Sequence, residues 1–347
     1  MTLPKTYIKG FHNDDAIKNM TYKKLGETDM CVSKLSLGGT VFGGVYGEFD
    51  DKEARETIEE SIKNGINYID TAPYYGEGRS EAFLGKVLKD IPREAYYIST
   101  KVGRYTSKYE TMFDYSKETI ISRFEDSLER LCLKYVDFAI VHDVEFGDMH
   151  QLLNESIPAV QALVAKGKVR YTAISAYPVS TLWDVVQKSK IKIDIVLSYS
   201  RETLFDSTLS KYADKFKSKG VGIVNASPTG LRLLSNCGPE AWHPASKEIK
   251  NLCAQAAAYC KENGVELGTL AVYHALKNDN YDTCLVGFNT RAIMNFNLNL
   301  LVKGLSPEEQ KVLDHLKDKF FKNKSMHWEG MELLMIKNYL NSFKTSP

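Results

Sequence analysis

The sequence predicts an α/β protein folded as a single (β/α)8 barrel, of the TIM-barrel type, and two patterns lead to that prediction. Short apolar runs rich in Val, Ile and Tyr alternate with longer amphipathic runs, and this alternation occurs eight times. Brief strands buried on both faces, each followed by a helix, are typical of a parallel sheet with helical crossovers. A chain of 347 residues, 43% of them hydrophobic, can occupy one barrel of this kind along its whole length.

The predicted strands are short, as strands buried on both faces are. They cover residues 34–38, 67–70, 95–100, 136–142, 169–175, 193–198, 221–224 and 284–287. Helical periodicity predicts helices at 51–64, 80–88, 116–131, 149–166, 180–188, 206–217, 246–277 as two helices, and 290–301. Ser306-Pro307-Glu308-Glu309 is typical of a helix start, so the sequence predicts an extra C-terminal helix.

Further segments are predicted at the two ends of the barrel. Residues 21–32 predict an N-terminal hairpin across the barrel floor, because Gly26-Glu27-Thr28-Asp29 has turn chemistry between two short runs. Long loops on the C-terminal face are predicted at 228–244 and after residue 317. Since we find no internal repeat and no linker, we predict one domain over 1–347, with an N-terminal extension at 1–20 and a C-terminal tail at 320–347.

A doubly wound dinucleotide-binding sheet is the alternative for this α/β pattern, and its glycine motif is missing. Gly38-Gly39-Thr40-Val41-Phe42-Gly43 follows a strand, but its glycines are wrongly spaced for GxGxxG. Gly76-Glu77-Gly78-Arg79-Ser80-Glu81 lacks the third glycine. The barrel therefore remains the prediction.

Composition excludes several classes of function. The 45 Lys and Arg residues against 44 Asp and Glu leave a formal charge of +1, which supplies no positive field for nucleic acid. No apolar run approaches the roughly 18 residues that span a membrane. The six cysteines show no CxxC spacing, and no histidines are spaced as metal ligands. We expect a cytoplasmic monomer with reduced thiols, no metal site, and neither nucleic-acid nor membrane partners.

Ionisable residues follow three successive predicted strands. Asp70, Lys101 and His142 stand at or next to the ends of the second, third and fourth strands, and Tyr75 follows Asp70 in a loop. Neighbouring strands lie about 4.7–4.9 Å apart, and active sites of such barrels lie where the strands end. These side chains are therefore predicted to converge on one pocket.

The four side chains suit proton transfer by a phenol. A tyrosine titrates near 10, and a neighbouring Lys101 ammonium lowers its pKa. Asp70 would orient Lys101, and His142 would hydrogen-bond the reacting oxygen. Hydride comes from no side chain, so this chemistry implies a nicotinamide or a flavin. Each residue also has a structural explanation when taken singly. Asp70 could cap a helix, Lys101 could be a solvated cation, Tyr75 could be a packing residue and His142 could be a hydrogen-bonded core histidine. It is far less common for four unrelated structural residues to occupy these matching positions together.

Three stretches resemble the signature of the aldo-keto reductase superfamily. They are Asp70-Thr71-Ala72-Pro73-Tyr74-Tyr75-Gly76-Glu77-Gly78-Arg79-Ser80-Glu81, Ser99-Thr100-Lys101 and Val141-His142-Asp143. The resemblance implies that Asp70, Tyr75, Lys101 and His142 form a catalytic tetrad. It also implies a barrel that binds NAD(P)H without a Rossmann fold.

Resemblance also assigns the cofactor contacts position by position. The matching residues are Gly39, Thr40, Asp70, Ser175, Ser227, Leu231, Arg232, Gly287, Asn289, Thr290 and Asn297. Two roles for Arg232 stay open: it could contact a phosphate of the cofactor, or it could be a solvated loop residue. Ile293 replaces an Arg or Gln usual in the superfamily, and Arg291 is a candidate substitute at a 2′-phosphate. The expected cofactor is NADP(H) or NAD(H). NADP(H) is slightly favoured because it is the usual cofactor of the superfamily.

Within the superfamily, segments around Ala226-Ser227-Pro228 and Gly238–Ser246, with Trp328 and Gly330 of the tail, resemble the L-galactose dehydrogenase group most closely. The resemblance implies an NAD(P)(H)-dependent oxidoreductase that interconverts a carbonyl and an alcohol, with a small-molecule carbonyl or sugar as substrate. Two alternatives stay open: an aldose 1-dehydrogenase acting with NAD on an L-galactose-like sugar, and a cofactor-binding regulatory subunit.

Overall fold

The computed structural model describes residues 3–342, in which eight strands form a closed parallel barrel. Two further strands, β1 (Tyr22–Lys24) and β2 (Cys31–Ser33), pair antiparallel outside it. The barrel strands are β3 (Leu35–Gly38), β4 (Tyr68–Asp70), β5 (Tyr97–Val102), β6 (Val136–Val141), β7 (Val169–Ala176), β8 (Ile195–Tyr199), β9 (Gly222–Ala226) and β10 (Thr283–Val286). Each pairs with the next along the chain, and β10 pairs with β3 to close the ring. The predicted (β/α)8 barrel is confirmed.

Helices supply the crossovers that parallel neighbours require. They are α1 (Asp14–Asn19), α2 (Asp51–Lys63), α3 (Arg79–Leu88), α4 (Lys117–Leu131), α5 (Met149–Gln151), α6 (Ile157–Ala165), α7 (Val179–Lys188), α8 (Thr208–Ser218), α9 (Lys247–Glu262), α10 (Leu267–Lys277), α11 (Arg291–Lys303), α12 (Pro307–His315) and α13 (Met331–Ser342). A 3-10 helix, Gly39–Gly43, follows β3 directly. The predicted split of 246–277 into two helices is confirmed.

One predicted helix is less regular than expected. The helix predicted at 149–166 contains a π-helical turn, Leu152–Ser156, between α5 and α6. Pro158 lies in the first turn of α6 and has no N–H to donate to the carbonyl of the preceding turn. Loss of that hydrogen bond explains the wider turn at this point.

The N-terminal hairpin closes the floor of the barrel, as predicted. Leu25, Met30 and Val32 are fully buried and pack among the side chains of the barrel interior. Gly26 has φ +54°, and a Cβ there would lie 2.3 Å from the amide nitrogen of Gly222. Only glycine allows the hairpin to approach the sheet this closely.

The chain outside the barrel lies at both termini. Helix α1 belongs to the predicted extension 1–20, and α12 and α13 supply helices beyond the last crossover. Parts of the predicted extension and tail, residues 1–2 and 343–347, lie outside the described residues. The assignment of 1–347 to one domain stays a prediction. Within residues 3–342, no helix is both long enough and apolar enough to cross a membrane.

Candidate active site

The carboxyl ends of β4, β5 and β6 carry three of the four predicted catalytic side chains. Side chains alternate along a strand, and Tyr68 and Ile140 point into the barrel. Asp70 and His142 stand two residues beyond them, so they continue the inward-facing columns to the rim. Lys101 continues the column of β5 in the same way. Strand register therefore brings these three groups to one end of the barrel.

Lys101 and Asp70 form a buried ion pair at this rim. Lys101 Nζ lies 2.6 Å from Asp70 Oδ2 and donates to the carbonyl of Thr71 at 2.8 Å. Ser99 Oγ donates to the other oxygen of Asp70 at 2.7 Å. Burial opposes the charge on Lys101, but Asp70 offsets this effect, so the pKa of Lys101 is raised. Lys101 is therefore a fixed ammonium.

Tyr75 lies directly beside this ammonium. Lys101 Nζ is 4.6 Å from the centre of the Tyr75 ring. The loop carrying Tyr75 depends on Gly76, which has φ +65° and would bring a Cβ within 2.3 Å of the carbonyl oxygen of Gly43. Burial raises the pKa of Tyr75, while Lys101 lowers it by less than burial raises it. The expected influence of Lys101 is present, but burial outweighs it.

His142 completes the arrangement. Its ring meets the Tyr75 ring edge to face, with centroids 6.1 Å apart and an angle of 87°. Burial and the positive charges of Lys101 and Arg104 hold the pKa of His142 well below its usual value. The imidazole is therefore neutral, with one N–H to donate. Its Nδ1 is buried and has no hydrogen-bond partner among residues 3–342.

A buried arginine, Arg104, lies close to His142 and was not predicted from the sequence. Arg104 Nη1 lies 2.6 Å from Asp143 Oδ2, and Nη2 lies 2.6 Å from Glu332 Oε1 of α13. Nη2 also donates to the hydroxyl of Tyr74 at 3.1 Å, and the guanidinium lies 4.0 Å from the centre of that ring. The motif Ser99-Thr100-Lys101 stops short of Arg104, and no local pattern connects it to a residue in the tail.

The C-terminal strap, residues 326–332, crosses the rim. The Trp328 ring stacks on Tyr177 with centroids 4.7 Å apart, and its backbone N–H donates to the Tyr177 hydroxyl at 3.1 Å. Glu329 is ion-paired with the buried Arg201, and Glu332 with Arg104. The predicted C-terminal tail therefore contacts the rim through its side chains.

Of the predicted cofactor residues, Asp70 ends β4, and the others lie in three loops, in strand β7 and in helix α11. They are Gly39 and Thr40 after β3, Ser175 in β7, Ser227, Leu231 and Arg232 after β9, Gly287, Asn289 and Thr290 after β10, and Asn297 in α11. Strands β9, β10 and β3 are consecutive in the ring, which brings the three loops together. Ser175 stands apart from them beside β6, where its hydroxyl accepts from the amide of Asp143 at 3.0 Å.

Several of these residues fit a dinucleotide. A Cβ on Gly39 would lie 2.6 Å from the Asp70 carbonyl oxygen, and one on Gly287 2.8 Å from Val41, so only glycine allows these two backbone segments to approach their neighbours so closely. Asn297 is buried, and its Nδ2 donor has no partner within the described chain. Thr290 caps α11 by accepting from the amide of Ile293 at 3.3 Å. The unpaired amide of Asn297 can donate to a ligand, and the N-terminus of a helix suits a phosphate group.

The two arginines considered for phosphate are held by carboxylates. Arg232 lies 2.5 Å from Glu240. Arg291 contacts Glu53 at 3.1 Å and Glu56 at 3.0 Å, and Glu60 lies 3.6 Å away. Three carboxylates of α2 thus surround one guanidinium. Among residues 3–342, no cluster of three or more His, Cys, Asp or Glu side chains is arranged to hold a metal ion.

Comparison with known proteins gives one consistent family. Residues 34–318 match the model of the aldo/keto reductase family. L-galactose dehydrogenase of Arabidopsis thaliana is 40% identical over 271 residues, which cover 77% of this chain and 84% of that protein. D-arabinose 1-dehydrogenase of Saccharomyces cerevisiae is 32% identical over 271 residues, covering 74% and 79% respectively.

A solved structure agrees with these relatives. An aldo-keto reductase from Bacillus halodurans, in its holo form, superposes with a TM-score of 0.68 at 27% identity. The match covers 86% of this chain and 96% of that one.

Proposed function

The chain belongs to the aldo/keto reductase family, whose members are oxidoreductases that use NAD(P)(H), and we propose that it oxidises an aldose at C1 with NAD. The contact between Tyr75 and the Lys101–Asp70 ion pair carries the proposal, because it places a titratable phenol beside a fixed positive charge. The names of two relatives, L-galactose dehydrogenase and D-arabinose 1-dehydrogenase, support an aldose as substrate.

Tyr75 is the proposed acid and base. In oxidation, the phenolate accepts the proton of the hydroxyl group on C1 of the substrate. In reduction, the phenol donates a proton to the carbonyl oxygen. Lys101 favours the phenolate by its charge, and Asp70 holds Lys101 in place at 2.6 Å. A bound nicotinamide supplies or accepts the hydride that no side chain can transfer.

His142 is the proposed positioning donor for the reacting oxygen. Because its pKa is held well below the usual range, it stays neutral and donates one hydrogen bond without bringing a second cation beside Lys101. Its edge-to-face contact with Tyr75 places the imidazole next to the phenol. The substrate oxygen would lie between the two groups.

The surroundings of Arg291 support NAD as the cofactor. This is opposite to the slight preference for NADP(H) that the sequence suggests. The matching residues after β10 and in α11 would hold the adenosine end, and Arg291 begins α11. Its guanidinium already has Glu53 and Glu56 as partners, with Glu60 close by. A 2′-phosphate would add negative charge to this excess of carboxylates, whereas a ribose hydroxyl would not.

Measuring kcat/KM on a panel of aldoses with NAD and with NADP tests the substrate and cofactor together. We expect oxidation of L-galactose or a related aldose, with NAD preferred. Binding of both cofactors is followed separately by thermal shift. A protein that binds a nicotinamide cofactor but turns over no sugar and no carbonyl would instead favour the regulatory-subunit alternative.

A double variant tests the cofactor argument alone. Glu56→Gln with Glu60→Gln removes two of the three charges around Arg291, and we expect the NADP/NAD ratio of kcat/KM to rise about three- to tenfold, as is usual for exposed charges. Glu129→Gln, an exposed residue on α4, is the matched control. An unchanged ratio in the double variant would show that these glutamates do not select the cofactor.

The monomeric state and the cytoplasmic location remain predictions. Light scattering on the purified chain tests the first, and microscopy of a tagged chain tests the second.

A further inference from the structure

A small cavity lies at the rim, between the segment that follows β6 and the C-terminal strap. Its walls include Glu145, Tyr177, Tyr199, Trp328 and Glu332, and its volume is about 20 Å³. A water-sized group needs roughly 10–15 Å³, so the cavity has room for one oxygen-sized group.

Glu145 presents an unused polar atom in this wall. Its Oε1 accepts from the amide of Tyr177 at 2.9 Å. Its Oε2 is buried and has no hydrogen-bond partner in the described part of the chain. Burial, followed by the negative charge of Asp143, raises the pKa of Glu145 well above its usual value. These surroundings favour the protonated carboxyl, a form that can both donate and accept a hydrogen bond.

Aromatic rings form much of the remaining wall. Tyr177 stacks on Trp328 with centroids 4.7 Å apart, and it lies 5.3 Å from Tyr199. The Tyr177 and Trp328 rings face each other, so they enclose the cavity rather than offer a free face to a ligand. A polar group within a largely apolar wall fixes the orientation of a bound hydroxyl. This arrangement suits a substrate that carries a hydroxyl away from its reacting carbon.

The cavity is tied to the catalytic residues through the chain and through Arg104. Glu145 stands three residues after His142, in the 3-10 helix that follows β6. Asp143 and Glu332 share the Arg104 guanidinium, which also binds Tyr74. Tyr74 contacts the His142 ring edge to face at 6.1 Å. The cavity and the tetrad therefore share one connected set of side chains.

We propose that this cavity is a subsite for one hydroxyl of the aldose, and that Glu145 is a specificity-determining residue that hydrogen-bonds that hydroxyl. The inference rests on the proposed aldose oxidation. A purely structural Glu145 would need only the oxygen that accepts from Tyr177, whereas a second buried oxygen without a partner costs stability. A substrate hydroxyl would supply the missing partner.

A cycle of enzyme and substrate variants tests the proposal. L-galactose and its monodeoxy analogues at C2, C3, C4 and C6 are compared with wild type and with Glu145→Leu. In wild type, loss of the hydroxyl that Glu145 binds should lower kcat/KM about 10- to 100-fold, the usual effect of one buried hydrogen bond. In Glu145→Leu, that analogue should be oxidised about as fast as L-galactose, while the penalties for the other analogues persist.

Two further variants keep the test decisive. Glu145→Gln retains an acceptor for Tyr177 and a donor towards the cavity, so it should restore at least part of the lost discrimination. Glu129→Leu on α4 is the matched control for replacing a glutamate by leucine, and thermal melting checks that each variant folds. If Glu145→Leu does not fold, the same comparison is made with Glu145→Met, which removes both carboxyl oxygens at a similar side-chain length, and the penalty for the one analogue should again be lost.

The outcomes separate the two proposals. If wild type oxidises no aldose, the proposed function fails before the subsite is examined. If wild type oxidises L-galactose but every deoxy penalty is the same in the Glu145 variants, the subsite is overturned and the function stands. A uniform loss for all substrates in Glu145→Leu would likewise overturn the subsite and assign Glu145 a structural role.

Discussion

Strand β6 has a buried aspartate at each end, and the two carboxylates have different surroundings. At the floor end, Asp137 accepts from Arg170 at 2.8 Å through Oδ1, and from Arg93 at 2.6 Å and the Ile98 amide at 2.9 Å through Oδ2. At the rim, Asp143 uses Oδ2 for Arg104, while its buried Oδ1 has no partner among residues 3–342. Asp143 also has φ +51°, a conformation that costs energy outside glycine.

The buried carboxylate at the floor end is fully paired, whereas the one at the proposed binding end is only partly paired. His142 Nδ1 and Glu145 Oε2 are also buried without partners in the described chain, and both lie within three residues of Asp143. Near the floor, Arg93 Nε and the Tyr96 hydroxyl are likewise buried without partners among residues 3–342, but both oxygens of Asp137 are paired. Each unpaired group costs about 1–3 kcal/mol, and the three at the rim lie within four consecutive residues, where one ligand could satisfy them. The floor instead has paired carboxylates and the apolar side chains of the hairpin.

The comparison predicts that Tyr75→Phe gives the largest effect, and that the effect is on catalysis alone. The phenol oxygen is the proposed acid and base, whereas the ring retains its contacts with Lys101 and His142. We expect kcat to fall about 10³-fold, within the range for removing a general acid or base, with little change in Tm. Cofactor titration should show nearly unchanged NAD binding.

Tyr105→Phe is the matched control, because it removes a phenol oxygen from a buried tyrosine outside the tetrad. It should leave kcat close to the wild-type value. Wild-type-like turnover in Tyr75→Phe would remove Tyr75 from the mechanism and leave the rim without its proposed acid.

A floor substitution should show the opposite behaviour. Leu25→Ala leaves a space under the barrel interior, where Leu25 is fully buried. We expect the free energy of unfolding to fall by about 2–5 kcal/mol, as for other large-to-small core substitutions. Denaturant unfolding measures the loss, and kcat at a temperature where the variant is folded should match the wild type. A large fall in kcat without a loss of stability would mean that floor and rim are coupled.

The sequence predicts which residues lie at the rim, because strand periodicity and strand ends are local signals. Asp70, Lys101 and His142 each end an apolar run, and the parallel barrel then places them together. Tyr75 was found through its motif and its five-residue distance from Asp70. Sequence did not predict that burial would raise the pKa of Tyr75 more than Lys101 lowers it, because burial depends on the packed loops around the phenol.

Long-range charge pairs could not be predicted in this way. Arg104 and Glu332 are 228 residues apart, and Arg291 and Glu53 are 238 apart. No periodic pattern connects such residues, because their contact depends on how loops and outer helices pack. For the same reason, Arg291 was a reasonable phosphate ligand from sequence alone, whereas its contacts with α2 support the opposite cofactor preference.

The pH dependence of oxidation tests whether the chemistry at the rim is that of a phenol. Burial raises the pKa of Tyr75 above its usual value near 10, so the phenol is mostly protonated between pH 6 and 9. The phenolate fraction then rises about tenfold per pH unit, and kcat/KM for oxidation should rise in parallel. Reduction uses the protonated phenol and should stay nearly level over the same range.

His142 and Lys101 give two further expectations for the pH dependence of kcat/KM. Because the pKa of His142 lies well below its usual value, no break is expected near pH 6.5 in either direction. Lys101→Met removes a charge that lowers the pKa of Tyr75, so oxidation should be slower at every pH up to 9 while keeping the same slope. A plateau in wild-type oxidation below pH 8 would mean that a group other than the Tyr75 phenol accepts the proton, since the phenolate fraction is still rising there.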